Sequence, residues 1–168
     1  NFGGFRNQVS TFLAFDHMLR TRLNEALKSS LKSQDKVALS TVRLILAALK
    51  DRDIAVRPER GDEGLDEKEI LQLLQKMVKQ RDESITLYIK GGRQDLADRE
   101  RAEIEVINTF LPKQMEGDEL RKAVETVVKE AEASNLKDMG RVMAALRERY
   151  AGQMNFAQAN GIVKEMLG

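Results

Sequence analysis

The chain has 168 residues, a third of them charged, with 28 basic against 27 acidic side chains and no cysteine. That balance excludes a strongly basic nucleic-acid magnet and an acidic interaction tail. The missing thiols exclude disulfides, thiolate zinc sites and a cysteine nucleophile. The length suits one ordinary domain or two small ones.

Residues 1–17 differ from the rest of the chain, holding four of the six phenylalanines (Phe2, Phe5, Phe12, Phe15) and the single histidine, His17. One arginine, a broken apolar run and no small-residue cleavage site argue against a secretory signal. The segment reads as a vector remnant or translated upstream sequence rather than a docking peptide, and Met18 reads as the start.

Leu19, Leu23, Leu27 and Leu31 then recur every four residues, predicting an amphipathic helix closed by the polar Ser29–Gln34 region. A second helix is expected from about Asp35, with Val42, Ile45, Leu46 and Leu49 towards the core. Lys36, Arg43 and Lys50 lie seven apart on its outer face. Such a stripe is ordinarily a solvated face, with phosphate contact as the other reading. Arg57 to Leu65, holding Pro58, Gly61 and Gly64, reads as an exposed, mobile loop.

Asp66, followed three residues later by Glu69, signals a helix start of the capping-box kind. Ile70, Leu74, Met77, Ile85 and Tyr88 continue at helical spacing up to Gly91-Gly92. A second stripe, Leu96, Ile104, Ile107, Phe110 and Leu111, ends at Pro112. Two long helices joined by so short a turn must run antiparallel. Arg81 interrupts the first stripe, while Glu100 and Glu103 interrupt the second. Folding about Gly92 brings Arg81 level with Glu103, with Glu100 and Ser84 nearby. We expect a structural ion pair that fixes helix register, with a polar functional site as the alternative.

Lys113–Gly117 reads as a linker. Beyond it, Asp118, Asp138 and Asn155 are expected to open three short helices, whose methionines fill the core rather than line a groove. The expected architecture is all-α: a helical N-terminal domain (18–112) with a long antiparallel hairpin, the 113–117 linker, and a small three-helix C-terminal domain (118–168). Neither domain carries a charge excess: residues 18–112 hold 18 basic and 17 acidic side chains, and residues 117–168 hold eight of each.

No catalytic constellation can be assembled. Outside residues 1–17 there is no histidine, so no serine–histidine triad and no histidine-based metal site are available. Gly91-Gly92-Arg93 lacks the spacing of a phosphate-cradling loop. No cofactor, metal or small-molecule site is expected, and the apolar runs are too short to span a membrane. The absence of cysteine fits a reducing cytosol, so a cytoplasmic location is expected. The oligomeric state is not readable.

The segments KMVKQRDESITLYIKGGRQDLADRE (76–100), EIEVINTFLPKQM (103–115) and LRTRLNEALKSSLKSQDKVALSTVRLILAALKDRDI (19–54) resemble the YqeY-like proteins of the GatB/YqeY family. The stretch GRVMAALRERYAGQMNFAQANGIVKEML (140–167) is similar to the tail module of the B subunit of the tRNA-dependent amidotransferase. The resemblance covers residues 18–168 and implies an all-α protein linked to translation through carbon–nitrogen ligation with glutamine as amido-N donor. In the amidotransferase the tail is thought to contact tRNA, while catalysis lies in domains this chain lacks.

The resemblance therefore implies a non-catalytic tRNA-binding accessory module, with Lys137, Arg141, Arg147, Arg149 and Lys164 as the candidate basic surface. Glu148 and Glu165 interrupt that surface. The alternative is a protein–protein adaptor with no RNA role, docking through the hairpin or the Arg57–Leu65 loop.

Overall fold

The computed structural model describes residues 18–168, so the reading of residues 1–17 falls outside it. The described residues are all-α, with seven α-helices and two 3-10 turns. They are α1 (Met18–Ser33), α2 (Lys36–Arg60), α3 (Glu67–Lys90), α4 (Gln94–Asn108), α5 (Gly117–Glu130), α6 (Met139–Arg149) and α7 (Phe156–Leu167). The chain divides into two compact units, one ending at Leu111 and one running from Pro112 to Gly168.

In the first unit α3 packs along α4 and α1 along α2, while α2 also meets α4. Leu19, Leu23, Val42, Ile45, Leu49, Ile70, Leu74, Met77, Ile107 and Phe110 form one buried cluster. Leu31, the fourth leucine of the first stripe, is half exposed. Residues four apart advance by about 400°, so a strict four-residue row drifts about 120° over three steps and leaves the core side. Partners from elsewhere in the fold meet the ends of these helices. The Leu19 N–H donates to the Glu67 carboxylate at 3.1 Å. Arg22 donates to the Thr109 carbonyl at 2.6 Å, just past the C-terminus of α4, where a cation is favoured.

The expected loop between Arg57 and Leu65 is not a loop. Helix α2 runs through Pro58 to Arg60, a 3-10 turn follows at Gly61–Glu63, and Leu65 belongs to the core. Pro58 lies two residues from the helix end, and both it and Ile54, whose carbonyl loses its donor, are exposed. The lost bond therefore falls on the solvent side and leaves the buried face intact.

The Asp66 side chain accepts from the Glu69 N–H at 2.9 Å, as an N-cap should. The Glu69 carboxylate instead takes Arg60 at 2.6 and 2.8 Å. At the hairpin, Arg93 N–H bonds the Tyr88 carbonyl and Gly92 N–H bonds that of Ile89, a Schellman closure with Gly92 at φ 72°. Glycine reaches that conformation without a Cβ clash, which is why the chain reverses there. Beyond Met77 the hairpin leaves the main core, and Leu87 and Ile89 stand exposed near its tip.

In the second unit Val124, Val127, Val142, Leu146, Met154, Ala159 and Val163 are buried together. The residues read as a linker are bonded into this unit: Gln114 donates to the Gly152 carbonyl and Met115 N–H to that of Gln153, both at 2.6 Å. Asp118 does not cap α5. Glu116 stands at the cap position without a side-chain bond, and Asp118 sits in the first turn, where it complements the helix dipole. Asn155 caps α7 through the N–H groups of Ala157 and Gln158. Asp138 closes a reciprocal box with Asn135 at the second 3-10 turn.

Candidate functional site

Three polar arrangements stand out, and each can be judged by what its charges already hold. The first joins α1 to the end of α2. Asp53 accepts from Arg20 at 2.8 and 2.9 Å and from the Leu65 N–H at 2.8 Å, and Arg20 donates to the Leu65 carbonyl at 2.9 Å. Both backbone groups of Leu65 are thus satisfied while its side chain is buried. Gly64, at φ 67°, lies against this pair, and an added Cβ would come within 2.7 Å of Asp53 Cγ. The arrangement is a structural lock with no group left for chemistry. The Arg20 hydrogen bonds hold the Asp53 carboxyl below the usual carboxylate range.

The second lies inside the hairpin, where it departs from the core. Arg81 Nε donates to Glu103 at 2.9 Å, with Glu100 at 3.9 Å. A further Arg81 N–H goes to the Met77 carbonyl of its own helix. The structure brings Arg81, Glu103 and Glu100 together. Ser84 is occupied elsewhere, donating to the Gln80 carbonyl at 3.1 Å. Burial, then the adjacent Glu103 charge, pushes the Glu100 carboxyl up. A carboxyl so placed resembles an acid–base group, but the carboxylate beside it, Glu103, is already engaged by Arg81. The contact joins α3 to α4 across the hairpin.

The third comprises the five basic residues of the tail. Lys137, Arg141, Arg147, Arg149 and Lys164 are all exposed, but two of them are already paired. Arg141 is paired with Asp138 at 3.1 Å and Arg149 with Glu130 at 2.6 Å. Arg147 instead lies over the Phe156 ring, 5.9 Å from its centroid. Arg147 and Arg149 stand about 160° apart round α6, so they serve different neighbours, Phe156 of α7 and Glu130 of α5. Phe156, Asn160 and Lys164 recur every four residues and share one edge of α7. The sequence shows both halves of the Arg147–Phe156 contact but not the fold that joins them. Across the other edge of α7, Arg121 reaches Glu165 at 3.3 Å beside a shallow groove.

Among the described residues no group of three or more histidine, cysteine, aspartate or glutamate side chains is placed to hold a metal ion. No helix among them is long and apolar enough to cross a membrane.

Comparison with known proteins adds a lineage and one correction. The chain is 30% identical over 139 residues to a Pyrenophora tritici-repentis protein named "Altered inheritance of mitochondria protein 41, mitochondrial", covering 80% of this chain and 74% of that one. Proteins of the same name from Vanderwaltozyma polyspora and Lachancea thermotolerans are 32% and 33% identical over 89 residues, 53% of this chain and 46% of each relative. The match thus spans less than half the length of these two. These names overturn the cytoplasmic expectation, since they point to mitochondria. An absence of cysteine cannot separate two reducing compartments, which is why that inference failed. The family model described as "Yqey-like protein" matches residues 20–167, and the chain belongs to that family.

Proposed function

We propose that the chain is a non-catalytic accessory protein that binds tRNA, related to glutamine-dependent aminoacyl-tRNA amidation. One observation carries the reading: the exposed Arg147 guanidinium lies on the Phe156 ring, on the edge that also presents Asn160 and Lys164. An exposed arginine held beside an aromatic ring offers a cation and an aromatic edge to an unpaired base, and the nearby lysine offers a phosphate contact. Arg141 and Arg149 contribute less, because Asp138 and Glu130 already neutralise them.

The test is fluorescence anisotropy of the full chain with labelled bulk tRNA across a salt series. Binding should weaken steeply with salt, and Arg147→Glu with Lys164→Glu should weaken it at least tenfold at low salt. No binding by the unaltered chain at low salt would sink the reading. The adaptor reading would then lead, favoured by the exposed Leu87 and Ile89 at the hairpin tip. Both of its routes stay open, since residues 57–63 are exposed as well.

A further inference from the structure

We infer that the outer face of α2 is a second contact surface for the same polyanion, an RNA backbone laid along the helix. The inference rests on the tRNA reading but concerns residues that reading does not use. Helix α2 continues past Pro58, which adds Arg57 to the row begun by Lys36, Arg43 and Lys50. Seven residues fall only about 20° short of two turns, so the four cations keep nearly one line, about 10 Å apart and about 31 Å end to end. All four are exposed.

Among the described residues the first three cations of the row, Lys36, Arg43 and Lys50, have no neutralising partner. Arg57 has a loose one, Asp62 at 3.9 Å, with both side chains well exposed, and it also feels the Asp53 carboxylate that Arg20 holds. A solvated helix face normally sets a carboxylate four residues from a cation. Four residues on stand Ser40, Ala47, Ile54 and Gly61, and four back stand Lys32, Leu39, Leu46 and, for Arg57 alone, Asp53. The acids close in sequence are engaged elsewhere: Asp35 caps the Ala38 N–H, and Asp53 is held by Arg20 and Leu65. Asp51 lies about 100° round the helix from Lys50. Lys36 also occupies the first helical position, where the helix dipole disfavours a cation. Helix stability therefore does not account for it.

Charge complementarity points to a polyanion. The rival occupant is an acidic amphipathic helix, which would need a continuous apolar seam. The outer positions at heptad spacing read Val37, Leu44, Asp51 and Ser40, Ala47, Ile54, so the seam is broken on both lines. Small side chains at 40 and 47 leave room for a phosphate chain to approach the row.

The test compares the unaltered chain with a Lys36→Gln, Arg43→Gln, Lys50→Gln triple variant, using labelled bulk tRNA at salt concentrations that span the binding range. Glutamine matches lysine and arginine in helix propensity, so the fold should be retained, with circular dichroism as the check. The slope of log affinity against log salt should become shallower by about 2 to 3, at 0.7–0.9 for each lost phosphate contact. An unchanged slope in a folded variant that still binds would overturn the inference while leaving the tail reading in place. If the unaltered chain does not bind tRNA, both fall. Poly-L-glutamate binding that the triple variant loses would then assign the face to an acidic protein.

Discussion

Arg20 and Asp53 meet through two hydrogen bonds of 2.8 and 2.9 Å across 33 residues of sequence, and Leu65 is bonded to both. The pair fastens the turn after α2 to the first helix. Asp53→Ala should cost about 1–3 kcal/mol in urea unfolding, because the Leu65 N–H loses its acceptor and Arg20 its counter-ion. An Arg20→Met, Asp53→Leu double variant should lose less than the sum of its single changes. With both side chains about a quarter exposed, the charge itself contributes only part of this.

The pair also sets an acid limb. The folded-state pKa of Asp53 lies below its unfolded value, chiefly through the Arg20 hydrogen bonds. Its contribution is therefore complete above the ordinary carboxylate range and is lost as pH falls through the depressed value. Stability of the unaltered chain should drop below about pH 4, and Asp53→Asn should flatten that drop in thermal melts taken across pH.

Gly64 tests the same lock from the backbone. Its φ of 67° and its closeness to the Asp53 carboxylate leave no place for a methyl group. Gly64→Ala should destabilise the protein by about 1–3 kcal/mol. Gly61 also has positive φ but meets nothing within 4 Å, so Gly61→Ala should cost less. A melting comparison of the two variants separates strain from collision.

The hairpin was legible because its signals are local. An aspartate cap, two apolar stripes and a Gly-Gly turn determine α3, α4 and their antiparallel course, and facing positions at equal distance from the turn bring Arg81 to Glu103. The Arg20–Asp53–Leu65 lock was not legible, since its parts lie on elements whose meeting depends on tertiary packing. Pro58 misled for a related reason. A proline near a helix end costs little when the orphaned carbonyl faces outward, and sequence alone does not show which way it faces. The tail was legible as three helices, but not which of its cations are neutralised. That depends on Glu130 reaching Arg149 and Asp138 reaching Arg141.

Glu100 should be a liability at neutral pH. Burial and the neighbouring Glu103 raise its folded pKa. Any stability it allows is full below the unfolded pKa and is lost as pH rises through the folded value. Glu100→Gln should therefore leave stability unchanged below about pH 4 and raise it slightly near pH 7. Arg81→Met and Glu103→Leu should each destabilise and should couple favourably in a double-mutant cycle, since the first strands the largely buried Glu103 charge and the second leaves Arg81 only the looser Glu100 contact.

Gly161 sits inside α7, exposed, and a Cβ built there meets nothing within 4 Å. Replacing a helical glycine with alanine in open space should stabilise by about 0.5–1 kcal/mol, because alanine gives up less backbone freedom. Gly161→Ala should therefore raise the melting temperature by a few degrees, as checked by calorimetry on the full chain. Gly161 also lines the shallow groove with Gly117, Arg121 and Glu165, and it stands beside Lys164, three residues on, between the groove and the Phe156–Lys164 edge. If tRNA is bound through that edge, the substitution should leave its affinity unchanged while the melting point rises.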